Sequence, residues 1–394
     1  MEKKKICVVT GTRAEYGLLR RTMMDIANDD GFELQIAATG MHLSPEFGLT
    51  YKTIEEDGFA IDARVESLLS SDTPVGIGKS VGLGVIGFAD AFERLRPDIA
   101  LVLGDRYEIL AAAWAAYIAR IPIVHLCGGE VTEGAIDDAI RHSLTKLASL
   151  HVASRAEYAK RIVRLGEEPG RVFIGRGPTL EYIEREAPIS SEELSEELGL
   201  SPRGVNFVVT YHPATLGEDP REAFAELLDA LRRLNEAAVV FTYPNSDTGG
   251  RVIIEMIDKF VSGNESRARA FVSLGQRRYF GCLKYFDAVI GNSSSGIGEA
   301  PYFGIPTVNI GDRQKGRIKP QSVIDTPPRR EGIIAAIDRA LTPEFREAAA
   351  EYARLLRRDG GIRVIDIIKN NINILGERKT FYDMPEKPDL LSGA

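Results

Sequence analysis

Cysteine is scarce in this sequence. Cys7, Cys127 and Cys282 stand far apart in 394 residues and form no C-x-x-C pair. That spacing argues against a disulfide framework and against a zinc knuckle, and it fits a reducing compartment. A cytoplasmic location is the expectation. A basic excess is also missing: 49 Lys and Arg stand against 57 Asp and Glu, a net charge of −8. Nonspecific nucleic-acid binding, which needs surplus Lys and Arg, is therefore not expected. A few placed arginines would still suffice for a small anion. Unbroken apolar runs are short. The most apolar stretch, ILAAAWAAYIARIPIVHLC, is interrupted by Arg120 and Pro122, so it reads as a helix and a buried strand, not a membrane span. MEKKK is basic, yet the following ICVVTGT is too short for a signal-peptide core. Neither a membrane nor a nucleic acid is an expected partner.

The composition, 44% hydrophobic and 27% charged, is that of a globular chain, and its length suits two domains. Strand-length apolar runs alternate with helical periods. KKICVVTGT, ELQIAATG, DIALVLGD, IPIVHLCGG and SLHVASR read as strands in the first half. NFVVTYHP, AAVVFTYP, RAFVSLG, DAVIGNSSSG and PTVNIGD repeat the pattern in the second. Such alternation predicts parallel sheets covered on both faces, with ligands beyond the carboxyl ends of the strands. The expected division is residues 1–185 and 186–363. A C-terminal helix over 364–380 is expected to pack back on the first domain.

Two motif matches are set aside. GLGVIG (82–87) satisfies G-x-G-x-x-G, but no strand precedes it and the helical period runs on through FADAFERL. A dinucleotide fingerprint needs a strand before it and a helix after. GKS at 78–80 resembles the end of a P-loop, with Thr73 where the first glycine belongs.

The strand tips carry the chemistry. In GNSSSGIGEA, Asn292, Ser293, Ser294, Ser295 and Gly296 follow a strand and open a helix. Free N–H groups and the dipole at such a turn attract phosphate. A plain N-cap would need one serine, whereas three beside glycine favour an anion site. Glu299, a turn further, suits ribose hydroxyls. GTRAE places Arg13, a forked cation, at the first tip. His212 ends a strand in TYHP, and Arg313 and Arg317 lie in NIGDRQKGR. Facing anion sites in two domains suggest one diphosphate between them.

Acids cluster at the first-half tips. Asp105 follows a strand directly, with Arg106 beside it, and Glu130 is at the HLCGGE tip. Asp137 and Asp138 open a helix with Asp137–Arg141 and Asp138–His142 at i,i+4, which alone would be ordinary surface pairs. Their place soon after a tip brings them near the crevice. Several carboxylates in a half-closed site are what proton transfer at carbon requires.

Together GTRAEYGLL, TGMHLSPEFG, DIALVLGDRYE, HLCGGEVTEGAIDDAIRHSLTKLA, TYHP and DAVIGNSSSGIGEAPYFGIPTVNIGDRQKGR resemble the hydrolysing UDP-N-acetylglucosamine 2-epimerases over nearly the whole chain. The resemblance implies an α/β, glycosyltransferase-B-like fold of two Rossmann-like domains with the active site in the interdomain cleft. It implies C2 deprotonation, loss of UDP to a 2-acetamidoglucal, and hydration to N-acetylmannosamine, with no metal and no cofactor. It assigns Asp105, Asp137 and Asp138 to catalysis, and Glu130, read from its place at the tip, is the candidate to support them. It assigns Arg13, His42, His212, Ser293, Ser294, Glu299 and Arg313 to the nucleotide sugar, and Arg106, Asn292, Ser295 and Gly296, read from the strand tips themselves, are binding candidates beside them. One departure stands out: the family's H-x-E-G-G appears here as His125-Leu126-Cys127-Gly128-Gly129, with cysteine at the Glu position. That departure leaves room for the same chemistry on a UDP- or GDP-linked 2,4-diacetamido-2,4,6-trideoxyhexose. A non-hydrolysing 2-epimerase, and a glycosyltransferase of the same fold, are the other readings. A homodimer is the expected assembly.

Overall fold

The computed structural model describes residues 3–71, 73–133, 135–185, 189–213, 220–245, 249–358 and 361–385. Its strands are β1 (Lys4–Thr10), β2 (Phe32–Thr39), β3 (Ala63–Val65), β4 (Ile99–Leu103), β5 (Ile123–Leu126), β6 (Leu150–Ala153), β7 (Val172–Ile174), β8 (Asn206–Thr210), β9 (Ala238–Thr242), β10 (Ala268–Phe271), β11 (Ala288–Gly291), β12 (Thr307–Ile310) and β13 (Val323–Thr326). The first seven form one sheet in the order β3-β2-β1-β4-β5-β6-β7, and the other six form a second in the order β10-β9-β8-β11-β12-β13. Every pairing is parallel. The strands are continuous apolar runs because helices cover both faces, and all five residues of β4 are buried.

Strand order reverses between β1 and β4 in the first sheet and between β8 and β11 in the second. A crevice opens at such a switch point, beyond the carboxyl ends of the strands. The GTRAE, GDR, TYHP and GNSSSG tips all sit at these two positions. The α/β fold of two Rossmann-like sheets read from the sequence is thus the fold observed.

GLGVIG lies inside one helix, Pro74–Leu95, whose Thr73 N-cap accepts from Gly76 N at 3.1 Å. Gly84 and Gly87 serve packing: a Cβ at Gly84 would sit 2.9 Å from Ala111 Cβ, and one at Gly87 2.7 Å from Val65 Cγ1. The expected domain boundary falls on 186–188, outside the described residues. The C-terminal helix is shorter than expected. It spans Val364–Asn370, and after the non-helical Asn371 a single turn covers Ile372–Leu375. Val364, Ile365, Ile367, Ile368 and Leu375 join Ile6, Val8, Leu101 and Val124 in the first-sheet core. Beyond Gly376 the chain runs as a strap, with Lys379 Nζ 2.8 Å from the buried Glu167 carboxylate.

Candidate active site

A cleft of about 380 Å³ lies between the carboxyl ends of the two sheets. From the first half it is lined by Thr12, Arg13, Asp105, Cys127, Glu130 and Arg141 among others, and from the second by His212, Ser293, Ser294, Ser295, Glu299, Arg313 and Arg317.

The β1 tip is held from below. Thr12 caps helix Arg13–Ala27 in a capping box with Glu15. Glu15 Oε2 accepts from Gly11 N at 2.8 Å and Thr12 N at 3.2 Å. Under this turn lie Glu108 and Arg106, paired at 2.6 Å and both buried. A Cβ at Gly11 would clash with Glu108, so only glycine lets the turn close over that carboxylate. Arg106 is therefore tied beneath the tip and does not line the cleft. His42 is likewise internal: Nε2 meets Thr10 Oγ1 at 3.0 Å and Nδ1 meets Thr50 Oγ1 at 2.8 Å. Burial pushes its imidazolium down to about 3, so the ring is neutral. Arg13 reaches across the cleft to Ser273 O at 3.2 Å.

Asp105 follows β4 after Gly104, whose φ is 82°. His125 Nε2 lies 2.8 Å from Gly104 O, bracing that tip against β5. Burial pushes the His125 imidazolium down to about 4, which leaves it neutral as Nε2–H donor to that carbonyl. Arg141, 1% exposed, is the hub of the acids. Its Nη2 is ion-paired with Asp105, and its Nη1 donates to Glu130 O at 3.2 Å and stands 3.5 Å from Asp138 Oδ1. Spacing alone pairs Arg141 with Asp137 on an outer helix face. In the fold, helix Asp137–Leu147 turns this residue inward. Only its full burial reveals its place, and nothing in a one-dimensional pattern encodes that.

Glu130 is bound from the opposite half: its Oε2 lies 2.9 Å from Arg317 Nη1 and its Oε1 accepts from Ser154 Oγ at 3.2 Å. Asp138 is placed differently. Its Oδ1 accepts from Thr132 N at 2.6 Å and its Oδ2 lies 3.7 Å from His142, so it ties down the loop after Glu130. Neither Asp137 nor Asp138 lines the cleft. Cys127 does, at φ 62°, with its N–H bonded to Val152 O at 2.9 Å. Burial first, then the Glu130 charge, pushes its thiol up to about 12, so it stays neutral.

The second half builds its switch point mainly on an amide and hydroxyls, with Glu299 and Arg313 beside them. Asn292 clamps the β8 tip: Oδ1 accepts from His212 N at 2.7 Å and Nδ2 donates to His212 O at 2.8 Å. Gly291, at φ 134°, lies so close to Thr210 O that any side chain would clash. His212 Nδ1 accepts from Asn245 N at 3.3 Å, which puts the neutral ring's proton on Nε2. Ser293, Ser294 and Ser295 line the cleft, and Ser295 Oγ meets Tyr279 OH at 2.5 Å. Gly296 faces β12 instead, where a Cβ would meet Thr307 Cγ2. The expected helix after the serines is a single turn, Ser295–Gly298, followed by another at Ala300–Phe303. Burial raises the Glu299 carboxyl. Arg313 donates to Asn292 O at 3.2 Å. Arg141, Arg155, Tyr158 and Tyr279 line the site without having been singled out as binders.

The halves also touch beyond these groups: Glu133 N donates to Lys315 O at 2.9 Å, Gln276 Nε2 to Gly17 O at 2.8 Å, and Arg251 Nε to Glu46 Oε1 at 3.0 Å.

A family model described as UDP-N-acetylglucosamine 2-epimerase matches residues 24–369. The chain is 44% identical over 327 residues to a Campylobacter jejuni protein named GDP/UDP-N,N'-diacetylbacillosamine 2-epimerase (hydrolyzing), covering 83% of this chain and 85% of that one. It is 36% identical over 388 residues to the Escherichia coli polysialic acid biosynthesis protein P7, covering 97% and 98%. Among solved structures, a Neisseria meningitidis UDP-GlcNAc 2-epimerase bound to UDP-GlcNAc superposes with a TM-score of 0.72 at 14% identity, covering 94% of this chain and 100% of that one. At that identity the likeness concerns the fold.

Proposed function

The chain belongs to the UDP-N-acetylglucosamine 2-epimerase family, and from that premise we propose that it is a hydrolysing 2-epimerase of a nucleotide-linked 2,4-diacetamido-2,4,6-trideoxyhexose of the N,N'-diacetylbacillosamine type. The observation that carries the reaction is the carboxylate pair at the first-sheet tips. Asp105 and Glu130 face one cleft, each held by its own guanidinium, Arg141 and Arg317. The cleft wall opposite offers hydroxyls and cations for a diphosphate.

A carboxylate of this pair takes the proton from C2 of the sugar. The C1–O bond then breaks, its electrons leaving with the nucleoside diphosphate, and a glycal remains. Water adds across the double bond, its hydroxyl to C1, and a proton returns to C2 on the other face. Arg13, His212, the three serines and Arg313 hold the departing diphosphate, where their charge and dipoles count most as negative charge develops. The Nε2–H of His212 is a donor suited to the leaving oxygen.

The name of the 44% identical relative supports the diacetamido sugar. So does Cys127: a neutral thiol in the wall suits a deoxygenated sugar better than the carboxylate the family pattern puts there. The reading that follows from the sequence resemblance, UDP-N-acetylglucosamine to N-acetylmannosamine, stands second. The relative named for polysialic acid biosynthesis favours it. Proton NMR in D₂O decides between them. The protein is incubated separately with UDP- and GDP-N,N'-diacetylbacillosamine and with UDP-N-acetylglucosamine. Free 2-epimer deuterated at C2, with free nucleotide, is expected from a diacetamido donor. Turnover of UDP-N-acetylglucosamine alone would move the substrate to the second reading. Epimerised nucleotide sugar without hydrolysis would overturn the hydrolytic assignment.

A further inference from the structure

Helix Asp137–Leu147 carries Asp138 and Arg141 near its start, yet apolar packing fastens it poorly. Of its 11 residues only Leu144 is a buried apolar side chain, with Ile140 and Leu147 partly buried. The other buried residues are Arg141 and Thr145. Most helices in a fold are held by an apolar face. This one takes its stance from polar ties at its two ends. At the start they run from Asp138 to Thr132 N and from Arg141 to Asp105 and Glu130 O.

The far end is tied by the C-terminal strap through one side chain. Lys379 Nζ donates to Lys146 O and Ala148 O, both at 2.7 Å, and lies 2.8 Å from Glu167 Oε2. Carbonyls in a last turn have no helical N–H left to meet, and a cation suits the negative end of the dipole. Glu167 is fully buried and also accepts from Lys146 Nζ at 2.5 Å and His151 Nε2 at 3.0 Å. Burial opposes its charge, but the bonds from His151, Lys146 and Lys379 hold its carboxyl down to about 2, so it is ionised. The strap has a fitted seat. Phe381 lies so close on Gly166 that a Cβ there would clash with the ring. Tyr382 N donates to Gly166 O at 2.9 Å, and Lys146 Nζ stands 4.9 Å from the Phe381 ring centroid.

Lys146 is five residues beyond Arg141, about 7.5 Å along the axis. A short helix moves as a rod, so a tilt or slide at Lys146 carries Arg141 with it. A misplacement of ~1 Å in an active site costs on the order of 10²-fold in rate. We propose that Lys379 is a positioning residue of the active site: from the strap it fixes the far end of helix Asp137–Leu147, and with it the stance of Arg141 on Asp105. The inference rests on the proton-transfer role proposed for Asp105 and Glu130. Lys379 does not line the cleft, so its effect falls on the chemical step and not on binding.

The test compares Lys379→Met, Lys379→Arg and Thr380→Val in the full chain. Lys379 is a cleaner probe than Glu167, which also holds His151. Thr380 is the control, because its Oγ1, 2.7 Å from Glu168 Oε1, ties the strap to Glu168 and not to the helix. Lys379→Met should lower kcat ~10-fold, with KM and the affinity for UDP within ~2-fold. Lys379→Arg keeps the cation and should hold kcat within ~3-fold of wild type. Thr380→Val should lower the melting temperature and leave kcat within ~2-fold. With Arg141→Met already present, adding Lys379→Met should cost no more than a further ~2-fold. Hydrogen exchange in Lys379→Met should quicken at residues 139–142 as well as at 146–148. Phe381→Ala loosens the same end without leaving Glu167 a cation short. It should lower kcat ~3-fold and keeps the proposal testable if Lys379→Met does not fold.

The proposal falls if Lys379→Met keeps wild-type kcat, or if Thr380→Val loses kcat in the same proportion. It falls equally if the losses at Lys379 and Arg141 multiply, or if faster exchange stays at 146–148. The exchange measurement needs no substrate. It decides the link between strap and Arg141 even where the wild type turns over no nucleotide sugar, a result that would overturn the functional reading alone.

Discussion

The two halves are built alike and equipped differently. Each is a parallel sheet whose strand order reverses once, and each brings two tips together at that reversal. The first half fills its switch point with charge: Asp105 on the buried Arg141, with Glu15, Glu108 and Arg106 underneath. The second half fills the same place with an amide, hydroxyls and backbone: Asn292 on His212, then three serines. Fixed charges in low dielectric can move protons or hold an anion, but they are costly to bury unpaired. Neutral donors bind a diphosphate without that cost. Under the proposed function, proton transfer falls to the first half, and leaving-group binding falls mainly to the second, joined by Arg13 from the first.

The sharpest way to break that division is Arg141→Met. It removes the cation from Asp105 and unties the Glu130 backbone in one step. Turnover should fall ~10³-fold or more, near the upper range for losing acid–base function. Affinity for UDP, measured by calorimetry on folded protein, should change less than ~3-fold if the halves are separate in their tasks. Loss of UDP binding in step with turnover would defeat the division. Glu130→Gln is next. It removes one carboxylate and the only side-chain charge that Arg317 meets across the cleft within 4 Å among the described residues. We expect turnover to drop ~10²-fold, together with faster hydrogen exchange in the loops that join the halves.

A smaller effect sharpens the contrast from the other side. Ser294→Ala takes one neutral donor from the second half. It should raise KM for the nucleotide sugar about fivefold, the worth of one hydrogen bond of ~1 kcal/mol, and leave the pH dependence of turnover in place. A change confined to kcat would place Ser294 with the chemistry rather than with binding.

The sequence made the tips legible and the layers beneath them much less so. Apolar runs ending in GTR, GDR, GGE and GNSSSG marked the strands and the crevice, because a strand's period and a glycine turn are local properties. What a side chain does after the turn depends on neighbours far along the chain. Arg106 and His42 sit at tips in the sequence, yet Glu108 and the Thr10–Thr50 pair draw them beneath the surface. Arg141 looked like an outer helical residue and is buried at the centre, and Asp138 fastens a loop. Asn292, read as part of an anion turn, holds another tip's backbone. The open glycines of helix Pro74–Leu95 read as a broken fingerprint until their surroundings separated packing glycines from exposed ones.

The smallest expected effect concerns the two neighbouring carboxyls, Glu15 and Glu108, buried under the β1 tip. Burial, and then the Glu108 charge, hold the Glu15 carboxyl above its ordinary range. Glu15 Oε1 and Glu108 Oε2 are both buried without a hydrogen-bond partner, which fits a proton kept on this pair. The sign follows from linkage. In the unfolded chain Glu15 ionises at its ordinary pKa, while in the fold it keeps its proton to higher pH. Its contribution to stability is therefore fully present below the ordinary carboxylate range and is lost as pH rises toward the raised value. Glu15→Gln imitates the protonated acid: its carbonyl can accept from Gly11 and Thr12, and its amide can donate toward Glu108. Near pH 5 the variant should melt close to wild type. Near pH 8 it should be more stable by roughly 1 kcal/mol, about one pKa unit of relieved strain, with turnover within ~2-fold because Glu15 meets the cleft lining only through the Thr12 cap, which the glutamine carbonyl still holds. A variant equally destabilised at both pH values would mean that Glu15 is ionised in the fold, and that the charge beneath the first tip is not balanced by a stored proton.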